Sequence, residues 1–140
     1  MTRADIESVL SHHREAYEQR DPEALASDHA LDGTFESPAT GVVTGRTAIE
    51  TVYRYWISAF PDLLLAWDDA VIEDDRAMFF WTLTGTASGT FYGIAGNGSQ
   101  IRATGAADYR FRDGKILAAR HVFDWTSVLV ATGVLKAKPA

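Results

Sequence analysis

The sequence RDGKILAARHVFDW, residues Arg112–Trp125, combines a tight turn, a strand and a carboxylate at the end of that strand. Asp113-Gly114 supplies the positive-φ residues that a short hairpin requires, and β-like runs flank it on both sides. The strand after the turn is mostly apolar, yet Asp124 stands between Phe123 and Trp125. A carboxylate in such surroundings costs free energy unless it is paired, protonated or used in function. The stretch therefore predicts a hairpin whose second strand delivers Asp124 to a site.

Length and charge narrow the classes of protein to consider. The 140 residues are 46% hydrophobic and 23% charged, which predicts one folded domain, 1–140, with a conventional core. The formal net charge is −6, and the thirteen Lys and Arg form no cluster, which argues against nucleic-acid or anionic membrane partners. There is no cysteine, so disulfides and thiolate zinc sites are excluded. The charged N-terminus resembles neither a signal peptide nor a membrane span, so we expect a cytoplasmic protein.

The first half of the chain is mainly helical by its periodicity. Thr2 is a candidate N-cap for a helix with an apolar stripe at spacings of three and four, and Asp21-Pro22 begins a short second helix. Asp32-Gly33 indicates a turn before a brief strand, Thr34–Ser37. The third helix is predicted from Arg46 to Phe60, where its apolar residues recur with helical period up to Pro61.

The second half changes to strands. We expect strands in Leu63–Glu73, Arg76–Gly89, Gln100–Phe111 and Ile116–Trp125, then a tail that forms a short helix or an edge segment. Helices that precede a meander of long strands predict an α+β domain with an antiparallel sheet packed against the helices. The run that begins at Met78 is apolar on both faces, so we also predict a homodimer through the outer face of the sheet.

Three sequence phrases resemble the SnoaL-like polyketide cyclases of the nuclear transport factor 2-like superfamily, which includes ketosteroid isomerase. They are Ala59-Phe60-Pro61-Asp62-Leu63, the glycine-rich run from Gly85 to Ile94, and Tyr109–Ile116 continuing to Phe123-Asp124. The resemblance covers nearly the whole chain. It implies a cone-shaped fold, with a curved sheet and three N-terminal helices around an apolar pocket that holds a small carbonyl compound.

The same resemblance implies a catalytic role for Asp124. In these cyclases an aspartate near the end of the last long strand removes a proton from a carbon flanked by carbonyls, and the enolate closes a ring by intramolecular aldol addition without a metal or organic cofactor. Burial among apolar side chains would raise the pKa of such a carboxyl and make it a better base. A relative of this fold, ketosteroid isomerase, uses an aspartate base in the same way.

The remaining candidate residues concern substrate binding. Arg120 is expected on the same face as Asp124 by strand alternation, where it would bind a substrate anion or pair with the aspartate, with a solvated or dimer-facing arginine as the alternative. His121 is expected on the opposite side, facing a dimer partner or solvent. Glu36 is a candidate second carboxylate in the pocket. Five aromatic residues are candidates for lining the pocket, with packing in the core as the alternative: Tyr53, Trp56, Trp81, Phe91 and Tyr92. His29 and Asp32 are interpreted as capping or surface residues.

No metal-binding or phosphate-binding motif occurs. His12 and His13 are adjacent, whereas a helical metal pair requires a spacing of three or four, and Gly93–Gly98 lacks the lysine of a phosphate loop.

The first hypothesis is thus a cofactor-independent cyclase or isomerase with Asp124 as its base. The second is a non-catalytic binding domain of the same fold, consistent with Ala87 and Ala107 at positions where the family often has polar residues. The third is a hydrolase or dehydratase, which requires Glu36 and Asp124 to converge in one pocket.

Overall fold

The computed structural model describes residues 1–136 and 138, and in these residues the chain forms four helices and seven strands. The helices α1, α2, α3 and α4 span Arg3–Glu18, Pro22–Ser27, Arg46–Ala59 and Trp125–Ala131. The strands β1 to β7 span His29–Ser37, Gly41–Thr44, Leu64–Trp67, Val71–Glu73, Arg76–Thr86, Gln100–Arg112 and Lys115–Phe123. No helix of this described part is long and apolar enough to cross a membrane.

Helix α1 begins at a capping box and buries one face. The Thr2 side chain accepts from the amide of Asp5, and the Asp5 carboxylate accepts from the amide of Thr2, so two of the free amides at the helix start are satisfied. The buried residues include Ile6, His13 and Tyr17, at the spacing of a helix face. One polar ring, His13, is therefore carried into the core.

Helix α3 carries the aromatic stripe predicted from the sequence. Ile49 and Tyr53 are buried on its inner face, and Trp56 packs against the same core. The helix ends at Ala59, and the amide of Phe60 still donates to the carbonyl of Trp56. Pro61 has no amide hydrogen with which to continue the helix.

The strands form one curved sheet in the order β2-β1-β7-β6-β5-β3, with β4 beside β5. The predicted α+β cone is confirmed, but the prediction of a purely antiparallel sheet is wrong, because β1 pairs with β7 in parallel. A parallel pair requires a long crossover connection, and residues 38–114 supply it.

The turn predicted at Asp32-Gly33 is also wrong, because β1 runs through it. The pairing with β7 shifts register between His29 and Thr34, which is an irregularity of the bulge type. A Cβ at Gly33 would lie 3.0 Å from the carbonyl oxygen of Ala30, so glycine allows the strand to bend there. The tail forms α4, the helical option of the sequence analysis.

Gly105 allows the tryptophan of the neighbouring strand to lie flat across β6. Trp81 on β5 pairs with Gly105, and a Cβ at Gly105 would lie only 2.5 Å from the Trp81 ring and 2.6 Å from the carbonyl oxygen of Val122. The missing side chain thus fixes where the Trp81 indole can sit.

We expect Gly105→Ala to lower the free energy of unfolding by about 1–3 kcal/mol, because overpacking at this contact forces the indole or a strand to move. The matched control is Thr104→Ala at the adjacent exposed position, with an expected change within about 0.5 kcal/mol. Urea unfolding followed by tryptophan fluorescence measures both variants. Equal stabilities for the two would contradict the close contact.

Candidate functional site

A cavity lies between α1, α3 and the concave face of the sheet. Its walls combine aromatic and aliphatic side chains with one serine and one histidine: Tyr17, Phe35, Tyr53, Trp56, Trp81 and Phe123; Val52, Leu63, Leu65 and Leu83; Ser37 and His121. The volume of the cavity is about 70 Å³. On the same measure of volume, one water molecule needs roughly 10–15 Å³. A few waters, or the reactive part of a small ligand, therefore fit inside.

Three of the five aromatic candidates, Tyr53, Trp56 and Trp81, line this cavity. The other two lie outside it. Phe91 is buried behind Trp56, with ring centroids 5.2 Å apart. Tyr92 is partly exposed and donates from its hydroxyl to the carbonyl of Ala39 at 3.0 Å. Whether any of the five binds a substrate stays a prediction.

The expected placement of Asp124 in an apolar enclosure is wrong. Asp124 is exposed and is the N-cap of α4, where its Oδ1 accepts from the amide of Ser127 at 3.0 Å. A free helix start attracts such a side chain, because the first amides of the helix have no partner within it. Asp124 is not among the residues that line the cavity, so burial supplies no reason for it to act as a base.

Arg120 and Glu36 are placed on the outer face of the sheet. Their side chains form an ion pair with Nε and Oε2 3.3 Å apart, and both are largely exposed. They neighbour each other because Glu36 on β1 pairs in register with Arg120 on β7. The predicted inward orientation of Glu36 is thus wrong, and Glu36 and Asp124 do not meet in the cavity.

His121 is the residue that the sequence analysis misplaced. Strand alternation holds along the end of β7, but its phase is the reverse of the expected one: Ala119 and His121 are buried, while Arg120 and Val122 are exposed. The charge of Arg120 was the available signal, since a charged side chain is rarely fully buried and its face is therefore the outer one. His121 lines the cavity.

The hydrogen bonds of His121 define its neutral tautomer. Trp81 Nε1 lies 3.1 Å from His121 Nδ1 and can only donate, so Nδ1 is the unprotonated acceptor. Nε2 then carries the hydrogen and donates to the Tyr109 hydroxyl at 3.3 Å. Burial lowers the pKa of His121 to about 3, so the ring is neutral at pH 7.

A second group of buried polar rings lies behind the cavity. His13 Nδ1 lies 2.8 Å from Oδ2 of Asp28, and His12 Nδ1 lies 2.7 Å from Oδ1 of the same carboxylate. His29 is fully buried with Nε2 2.7 Å from the Tyr53 hydroxyl, so its interpretation as a capping or surface residue is wrong. Alternation from the buried Phe35 places His29 inward, six residues earlier on the same strand face, but the turn predicted at Asp32-Gly33 left His29 outside the strand.

In the part of the chain that the structure describes, no three His, Cys, Asp or Glu side chains are arranged to hold a metal ion. The chemistry available to the cavity from its own walls is proton transfer and hydrogen bonding, from one imidazole, the indole N–H groups of Trp56 and Trp81, and the hydroxyls of Tyr17, Tyr53 and Ser37.

Comparison with known proteins gives a family and several structural neighbours. The profile of the SnoaL-like polyketide cyclase family matches residues 7–131, while a search of curated proteins finds no match. Among solved structures, AclR of Streptomyces galilaeus, for which hydroxylase activity has been suggested, is 24% identical with a TM-score of 0.84, over 99% of this chain and 87% of AclR. TsrD of Streptomyces laurentii is 25% identical with a TM-score of 0.81, over 96% and 99% of the two chains.

A further neighbour is a protein of ketosteroid isomerase-like fold from Catenulispora acidiphila in complex with trimethylamine. It is 20% identical, with a TM-score of 0.77 over 94% of this chain and 97% of its own.

We expect the protein to lose stability on acidification well before its carboxylates titrate. Burial lowers the pKa of His13, His29 and His121, so the unfolded chain takes up protons below about pH 6.5 that the folded chain does not. Each such histidine lowers the free energy of unfolding by about 1.4 kcal/mol per pH unit, from about pH 6.5 down towards its folded pKa.

Urea unfolding between pH 8 and pH 4.5 measures this slope. His121→Gln should reduce the slope by the contribution of one histidine, about 1.4 kcal/mol per pH unit. Arg54→Gln, on the exposed face of α3, should leave the slope unchanged. A free energy of unfolding that is constant between pH 7 and pH 5 would contradict burial of neutral histidines.

Proposed function

The chain belongs to the SnoaL-like polyketide cyclase family, and from this membership we propose a cofactor-independent enzyme of the cyclase or isomerase type. Its substrate is a small, largely apolar compound with a carbon acid next to carbonyl groups. The proton is handled by His121 in the cavity rather than by Asp124 at the surface.

The observation that carries this proposal is the unprotonated Nδ1 of His121 at the wall of an apolar cavity. A neutral imidazole is a general base by nature, and the mostly apolar walls around it leave room for only a few waters. Because burial lowers the pKa of His121, the ring alone is a weak base. It therefore suits a carbon flanked by two carbonyls, whose proton is already acidic.

The indole N–H of Trp81 supports the same step. It donates to His121 Nδ1 at 3.1 Å. When a carbonyl oxygen enters, this N–H can donate to the oxygen instead, which frees Nδ1 and stabilises the negative charge that develops on the enolate. The C–H proton moves to Nδ1. The enolate carbon then attacks a second carbonyl in an aldol ring closure, or, where the enolate is conjugated with a C=C bond, the proton returns from Nδ1 to the far carbon of the conjugated system. In the aldol case the new alkoxide takes up the proton.

A second candidate is a binding domain without turnover. It is favoured by the fact that both ring nitrogens of His121 already have partners, and Ala87 and Ala107 add no polar group to the core. The hydrolase or dehydratase hypothesis is not proposed further, because Glu36 and Asp124 both lie outside the cavity.

The proposed partners are a small molecule and a second copy of the chain. A structural neighbour that binds trimethylamine and the size of the cavity support a small ligand. Exposed Phe80 and Val122 flank Ala106 on the outer face of the sheet, and Arg76 and Asp108 form an ion pair beside them. An apolar centre with a polar rim is typical of an interface. Cytoplasmic residence stays a prediction.

The base can be tested by hydrogen–deuterium exchange at the acidic carbon of ethyl 2-methylacetoacetate in D2O, where exchange turns the methyl doublet into a singlet in the proton NMR spectrum. We expect the protein to accelerate this exchange above the buffer rate. His121→Gln should lower the acceleration by about 100-fold or more, as expected for loss of a general base, whereas Asp124→Asn should retain it.

Quenching of tryptophan fluorescence measures binding of the same ketoester, because Trp56 and Trp81 line the cavity. If Asp124→Asn binds the ketoester normally but no longer accelerates its deuterium exchange, Asp124 and not His121 is the base. Binding without exchange in the unchanged protein would favour the binding domain.

The dimer is tested by light scattering after size exclusion. We expect the unchanged chain to elute as a dimer and Phe80→Glu as a monomer, because a charge in the centre of the outer face cannot be buried unpaired. Leu31→Glu replaces another exposed apolar residue, away from Phe80, and should remain dimeric. A monomeric unchanged chain at the same concentration would refute the dimer.

A further inference from the structure

A surface groove lies beside the cavity and shares part of its wall. The groove has a volume of about 420 Å³, and it shares Val52 and Trp56 of α3 with the cavity. We refer to it as the outer groove. None of the residues that line it is charged, and the remaining ones come from the turn after β1, from α3 and from the connection between β5 and β6: Ala39, Thr40, Thr51, Tyr55 and Tyr92.

The shared wall is the place where the cavity meets the surface. The residues that line the cavity are all buried except Val52, Trp56 and Phe123, which are half-buried. Two of these three also line the outer groove. The turn after β1 borders both spaces, because Ser37 lines the cavity, Thr40 lines the groove, and their hydroxyl oxygens lie 3.0 Å apart. The outer groove therefore leads to the cavity between this turn and α3.

Tyr92 lies across the outer groove and is held at both ends. Its hydroxyl donates to the carbonyl of Ala39 at 3.0 Å, and its amide donates to the hydroxyl of Tyr55 at 2.6 Å. Its ring packs against that of Trp125, with centroids 5.3 Å apart, and Trp125 in turn packs against Trp56 at 5.9 Å. One residue thus joins the turn after β1, α3 and the start of α4 around the shared wall.

The backbone of Tyr92 has an unusual conformation for a bulky residue. Tyr92 and Gly93 both have a positive φ, of 48° and 77°, and the amides of Phe91 and Ile94 each donate to the carbonyl of the other at 2.9 and 3.0 Å. This is the geometry of a two-residue hairpin turn, whose first position favours asparagine, aspartate or glycine. A tyrosine is strained there, and strain of this kind is concentrated at ligand clamps and switch regions.

We propose that the outer groove is the entrance to the cavity and that Tyr92 controls the passage of ligand through it. The proposal rests on the proposed function for its ligand, a small carbonyl compound. When the Tyr92 hydroxyl releases the carbonyl of Ala39, the ring can turn away and open the gap between α3 and the turn after β1. The broken hydrogen bond is exposed, so water replaces both partners and no buried polar group is left unpaired. Tyr92 thus controls access and takes no part in the reaction itself.

The walls of the outer groove also determine which compounds pass. They combine apolar side chains with the hydroxyls of two threonines and two tyrosines, and they carry no charge. A charged compound would lose water here without meeting an opposite charge, which is costly. An uncharged compound with a carbonyl oxygen loses less water and can accept from the hydroxyls. The entrance therefore favours uncharged esters and ketones over carboxylates.

The first test needs no ligand and follows the exchange of indole N–H groups with D2O by NMR. The N–H of Trp81 lies at the cavity wall, and that of Trp67 is buried outside the cavity. Tyr92→Phe removes the bond to Ala39, so the Trp81 N–H should exchange about two- to tenfold faster, as expected for the loss of one hydrogen bond. The Trp67 N–H should keep its exchange rate.

Two further variants complete this test. Tyr55→Phe removes the acceptor of the Tyr92 amide and should accelerate exchange of the Trp81 N–H in the same way. Thr90→Val removes an exposed hydroxyl from the same connection and should leave the exchange unchanged. Equal acceleration at Trp81 and Trp67, or no acceleration at Trp81 in either tyrosine variant, would overturn the control of the entrance by Tyr92.

The second test blocks the outer groove with a bulky group. The chain has no cysteine, so Thr51→Cys at the exposed rim of the groove provides a single thiol for disulfide coupling to glutathione. We expect the coupled variant to lose the acceleration of deuterium exchange of ethyl 2-methylacetoacetate, and to regain it when dithiothreitol releases the glutathione. Ser11→Cys on the exposed side of α1, coupled in the same way, should keep the acceleration throughout.

The outcomes separate the entrance from the chemistry. Full acceleration by the coupled Thr51→Cys variant rejects the outer groove as the entrance. If the unchanged protein does not accelerate deuterium exchange of the ketoester, the proposed proton transfer to His121 is rejected. Exchange of the Trp81 N–H then decides by itself whether Tyr92 controls access to the cavity.

Discussion

The contact between the Asp28 carboxylate and the His13 imidazole joins two helices to the sheet. Asp28 stands at the end of α2, its backbone carbonyl accepts from the amide of Ile116 at the start of β7, and its side chain binds the ring that α1 carries inward. Two helices and the central strand thus meet at one buried carboxylate. Such a charge is stable in the core only while its hydrogen-bond partners remain in place, so the position of α1 over the sheet and the polarity of the core are set by the same contact.

Most of the fold was predictable from local sequence signals. The Thr2 cap, the stripe of α3 and the Asp113-Gly114 hairpin each act over a few residues, so their outcome is visible in the sequence. The parallel pairing of β1 with β7 was not, because it joins residues about eighty positions apart through the bend at Gly33. The turn predicted at Asp32-Gly33 also left His29 outside the strand, so its inward orientation was missed.

The site was predictable in its aromatic walls but not in its polar centre. Asp124 and His121 lie on opposite faces of the end of β7, as alternation requires, and the question was only which face is the inner one. The prediction took the face of the Asp124 carboxylate as the inner one, which is wrong. The charges of Arg120 and Asp124 on one side and the small Ala119 on the other decide it, because water solvates charges without the cost of pairing them in the core. In this chain the polar group at the cavity wall is an imidazole, and the carboxylate serves to begin a helix.

Trp81 has two roles that cannot be separated. Its ring forms a wall of the cavity and packs against Gly105, and its N–H donates to the unprotonated Nδ1 of His121. Trimming the indole to widen the cavity would also release that nitrogen. The width of the cavity and the hydrogen bonding of the imidazole are therefore coupled in this scaffold, and a variant cannot gain space at this wall without also leaving Nδ1 of His121 without its donor.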